Sequence, residues 1–77
     1  MLLVLTHEKG ALLLPKRHII AVEGTVEGEK DMVMRIAMVG GVVYEVKGAA
    51  TRIGKIREAF KELDVETKTT VTSVELV

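Results

Sequence analysis

The residues able to do covalent chemistry are few. The chain has no cysteine and one serine, Ser73, and its two histidines are His7 and His18. Nucleophilic catalysis would need one of those imidazoles beside Ser73, with a carboxylate to orient it. The spacing does not set that up: Ser73 lies in a Thr/Val-rich run of strand character, His7 in a turn, and His18 beside Pro15-Lys16-Arg17. A metal site would draw on the same histidines and on carboxylates such as Glu8, but no HxH or HExxH pair fixes a geometry. The acidic stretch Glu23, Glu27, Glu29 and Asp31 could attract a cation, yet it lacks the DxDxDG order of a calcium loop. Gly48 to Lys55 looks superficially like a phosphate loop. It has five residues between its glycines where the motif needs four, and Ile56 stands where a Ser or Thr must follow the lysine. No catalytic residue, metal ligand or cofactor site is expected.

Charge offers a second kind of chemistry. Eleven basic residues balance eleven acidic ones, and a non-specific nucleic-acid binder normally carries a basic excess. The charges are nevertheless segregated. The acids gather before Asp31, whereas Lys47, Arg52, Lys55 and Arg57 follow one another with no acid between them. Arg52 and Lys55 fall in the first turns of an expected helix, where free N–H groups and the helix dipole already favour an anion. Lys16, Arg17, Lys47, Arg52 and Lys55 are therefore the candidate contacts to an anion or a nucleic acid.

The elements that would position these groups are legible from periodicity. Asp31 to Lys47 reads as a hairpin turning at Gly40-Gly41, with Met32, Met34, Ile36 and Met38 on one face of its first arm. Val42, Tyr44 and Val46 do the same in its second arm. Gly-Gly supplies the positive φ angles that tight hairpin turns need. Leu2–Thr6 and Ala11–Leu14 form a first hairpin around Gly10, ended by Pro15, which has no N–H for a ladder. A third strand is expected from His18 to about Thr25, with Ile20 and Val22 on one face and Ile19 and Ala21 on the other. Beyond Gly48 the period changes. Ile53, Ile56, Phe60 and Leu63 make one stripe of an amphipathic helix over about 50–63, with Thr51 as N-cap. Gly54 weakens that helix by about 1 kcal/mol relative to Ala, so it needs a sheet beneath it. The Thr/Val-rich tail predicts a final strand over about 67–76.

The expected fold class is α+β: a small, curved antiparallel sheet of five to six strands packed on one helix, all in a single domain spanning residues 1–77. A chain of this size buries only about 60% of its unfolded surface, so its core is thin. One helix covers one sheet face. The other carries Val33, Ala37 and Val43 beside Arg35, Glu45 and Lys47, and the first hairpin is apolar on both sides. Leu3, Leu5, Leu12, Leu14, Val33 and Val43 are thus the expected interaction face. It would be covered by the C-terminal strand folding back, by a second copy of the chain, or by a different partner.

The opening MLLVLTHEKG is apolar for only five residues and has no basic leader, which predicts neither a signal peptide nor a membrane span. With no cysteine, the cytoplasm is the expected compartment. The absence of Asn, Gln and Cys alongside abundant Val, Glu, Lys and Arg is the compositional drift of proteins from hot environments.

Leu5, Thr6, Gly10, Leu14, Ile19 or Ile20, Val22, Glu23, Gly41, Tyr44, Val46 and Lys47 form a pattern that resembles the small flagellar motility proteins called FlbD and similar phage-encoded proteins. The resemblance covers roughly Leu5 to Phe60. It departs from the family's Glu-Ser before the helix, here Gly48-Ala49, and the final strand is an extension. It implies a shape and transfers no catalytic residue. The opening MLLVLTHEKGA also resembles that of the carbon storage regulator family of RNA-binding dimers, with His7 where that family has arginine. The functional expectation is a non-enzymatic interaction or regulatory module that is a homo-oligomer and presents sheet surface or edge to a protein partner. An RNA-binding regulator is the alternative, and a small enzyme the third class.

Overall fold

The structure is a computed structural model that describes residues 1–77. Seven strands and one helix follow one another in the order β1 (Leu2–His7), β2 (Gly10–Pro15), β3 (Ile19–Val26), β4 (Asp31–Met38), β5 (Val43–Ala49), α1 (Ala50–Ala59), β6 (Thr67–Thr70) and β7 (Ser73–Leu76). The α+β class and the single helix are as the sequence predicts. The strands, however, divide into two sheets: a three-stranded sheet A ordered β2-β1-β6 and a four-stranded sheet B ordered β3-β4-β5-β7. All pairings are antiparallel except β1 with β6, which is parallel.

The division follows from the tail. The expected final strand is broken at Val71-Thr72, because its two halves pair with different sheets. The Val71 N–H donates to Thr6 O of β1 (2.8 Å), and the next N–H, of Thr72, donates to Lys47 O of β5 (2.8 Å). Gly48 lies against that crossing: a Cβ there would stand 3.5 Å from the Val71 backbone and from Ile53 Cδ1, in ordinary contact, with no room for a longer side chain.

Both sheets and the helix share one core. Leu3, Leu5 and Leu14 of sheet A meet Met34, Ile36, Met38 and Val46 of sheet B, with Ile53, Ile56 and Ala59 of α1 and Val71 between them. The helix lies against β6, β4 and β5. It stops four residues before the expected boundary, and Leu63 falls outside it, exposed. The expected cap at Thr51 is absent; Ala49 is the N-cap residue, and the Ala50 N–H is satisfied by Lys30 O (2.7 Å) in the β3–β4 loop.

Two further details differ from expectation. A register shift between Ile19 and Ala21 makes a bulge in β3, which breaks simple alternation. Ile19 and Val22 therefore turn toward the core, and Ile20 is left 66% exposed. The β4–β5 turn spans Val39 to Val42, not Gly40-Gly41 alone, although both glycines do have positive φ (98° and 88°).

Candidate interaction surface

The expected interaction face is largely interior. Leu3 and Leu5 are fully buried, Leu14 nearly so, and Leu12 packs against the same cluster. These residues point into the shared core because sheet A closes over sheet B and the helix. Only Val33 and Val43 of that set remain on the uncovered side, half-buried on the outer face of sheet B.

That outer face is a shallow, charged concavity of about 390 Å³ lined by Glu23, Thr25, Val33, Arg35, Glu45 and Lys47 among others. The ladder register places Glu23, Arg35, Glu45 and Glu75 in one row across four strands. Arg35 reaches Glu45 at 3.4 Å, and Lys47 lies 4.0 Å from the same carboxyl group. Alternation on these strands thus puts charged side chains of both signs outward and the buried aliphatic ones inward.

Exposed apolar surface collects elsewhere, at one end of sheet B. Ile20 at the start of β3, Val39 and Val42 in the β4–β5 turn, and Leu76 and Val77 at the end of β7 are all exposed. Backbone hydrogen bonds from Val39 N–H to His18 O (2.7 Å) and from Val77 N–H to Val43 O (2.9 Å) hold this end together. The opposite, long side of β3 is also open. This eight-residue strand pairs only with β4 and forms one edge of the sheet.

The five candidate basic residues do not converge. Lys16 is 2% exposed and is no surface contact at all. Its ammonium donates to the carbonyls of Glu62 (2.8 Å) and Val65 and to Thr67 Oγ1 (2.9 Å), tying the end of β2 to the segment that follows α1. Arg17 is near Asp64 (3.9 Å), with both side chains exposed. Lys47 stands on the outer face of sheet B, whereas Arg52 and Lys55 are exposed on the helix, which covers the inner face. The sequence spacing missed Arg57. Its Nη2 lies over Gly24 of β3, 3.2 Å from where a Cβ would stand, and it forms neither an ion pair nor a hydrogen bond.

Folding does bring His7 and Ser73 to the same shallow depression of about 120 Å³, with Glu8 and Glu75. No hydrogen bond joins the imidazole to the hydroxyl, so the nucleophile–base contact of a catalytic dyad is not formed. No cluster of three or more His, Cys, Asp or Glu side chains is placed to hold a metal ion. No helix is long and apolar enough to cross a membrane. Comparison with protein-family models, with curated proteins and with solved structures finds no match to this chain.

Proposed function

We propose that this chain is a non-enzymatic interaction or regulatory module of the cytoplasm. In this reading it self-associates through the apolar end of sheet B and presents a sheet edge to a protein partner. The observation that supports it is the pairing of two features on one sheet: an eight-residue edge strand with no strand on its outer side, and five exposed aliphatic residues at the sheet's end. An unpaired edge offers a row of backbone donors and acceptors to an added strand, and exposed apolar clusters on small domains mark contact surfaces. Sedimentation across a dilution series tests the self-association. The expected result is a concentration-dependent oligomer that Val39→Lys and Leu76→Lys shift to monomer without unfolding. A particle that stays monomeric at millimolar concentration removes it.

The RNA-binding alternative would need its basic residues to act as one patch, and their dispersal over three surfaces gives it little support. A low-salt mobility shift with an RNA pool checks it directly: a complex that weakens steeply with salt would reinstate it.

A further inference from the structure

We infer that the open edge of β3 takes an extended segment of another protein with the pattern aliphatic–x–acidic–x–aliphatic, its carboxylate meeting Arg57. This deepens the reading above and rests on it, since β3 must be an available edge. On the inner face of sheet B, β3 presents Val22, Gly24 and Val26, opposite Ile36, Met34 and Met32 of β4. The helix packs mainly on β6, β4 and β5. Val22 and Met32 are therefore only partly covered, and Val26 is 70% exposed. From α1, Arg57 reaches out to the strand and lies over Gly24, which has no side chain to displace it.

A strand added antiparallel to β3 would set its own side chains opposite these three, with facing Cβ positions about 5 Å apart. Its central residue would face Gly24 and project beside the Arg57 guanidinium, which has no acid of its own. The fork of N–H donors on an arginine fits a carboxylate there. The residues two places to either side would cover Val22 and Val26, so they should be aliphatic.

The same geometry argues against a second copy on this edge. A two-fold antiparallel pairing centred on Glu23 sets Glu23 against its own copy. Centred on Gly24, it brings two Arg57 guanidiniums together. Centred on Val22, it runs into the bulge at Ile20.

The test is fluorescence polarisation of the labelled peptide Ser-Thr-Val-Thr-Glu-Thr-Val-Thr-Ser on the full chain, beside its Glu-to-Gln counterpart, with amide NMR to locate binding. The expected result is tighter binding of the Glu peptide by about tenfold, shifts along β3, and loss of that preference in Arg57→Gln. Arg57→Glu should reverse it toward a peptide with Lys at the centre. Equal binding of the two peptides, or a preference that survives Arg57→Gln, overturns the acidic specificity while leaving the edge reading intact. Shifts along β3 on concentrating the chain alone place a second copy there and overturn the peptide. No binding of either peptide at millimolar concentration, with β3 unmoved, overturns both.

Discussion

The ammonium of Lys16 holds two backbone carbonyls and a hydroxyl beyond the end of α1, so the consequence of removing it can be counted. Lys16→Met keeps the buried stem and leaves the Val65 carbonyl and the Thr67 hydroxyl without this donor, while the Glu62 carbonyl keeps the Val65 N–H (3.3 Å). At about 1–3 kcal/mol for an unsatisfied buried group, with relief from water because Glu62 and Val65 are exposed residues, the expected loss is about 1–2 kcal/mol. Urea unfolding would read it as a lower midpoint at unchanged slope. A surface contact to RNA would leave that midpoint in place. Thr69 is the opposite case. Its hydroxyl is buried beside β1 with no hydrogen-bond partner in the chain, as is that of Thr6. Thr69→Val keeps the shape and removes the unpaired group, so the midpoint should rise, by up to about 1 kcal/mol in stability. Residue type was legible here and residue role was not. A lysine beside proline and arginine reads as solvated, and only contacts made across 46 to 51 positions of sequence bury it.

Among the elements, the β4–β5 hairpin was the most legible, because alternation and a Gly-Gly turn are local signals. Gly40 and Gly41 have φ of 98° and 88°, a region that costs an L-residue about 1–2 kcal/mol. Gly40→Ala should lower stability by about that amount, as thermal unfolding followed by circular dichroism would report. The single tail strand was less legible. Val and Thr announce strand, but they do not say that consecutive N–H groups at Val71 and Thr72 will donate to different sheets. Gly48 is buried against this crossing, with Val71 and Ile53 in van der Waals contact with the place of a Cβ, so any longer side chain would have to displace them. Gly48→Leu should therefore cost about 2–3 kcal/mol by overpacking and, in hydrogen exchange, should deprotect β6 and β7 before β4.

On the scale of the molecule, two sheets closed around one helix account for the apolar excess of the first hairpin. Leu3→Lys puts a charge into the shared core and should unfold the chain, seen as loss of the circular dichroism signal at 25 °C. Leu76→Lys, on the exposed end of sheet B, should change association alone. That contrast separates core from contact surface, which composition cannot do: both kinds of residue are aliphatic, and both sit on strands.

What the sequence determined by itself was local. Side-chain alternation set the strands, the three-and-four spacing of Ile53, Ile56 and Phe60 set the helix, and the missing cysteines and dispersed histidines left little for catalysis to use. The tertiary structure decided which faces meet. It turned Leu3, Leu5 and Leu14 inward, split the tail between two sheets, scattered the basic residues and laid Arg57 across Gly24. The reason is physical: period and propensity act within a few residues, whereas burial is settled by the packing of elements that lie far apart along the chain.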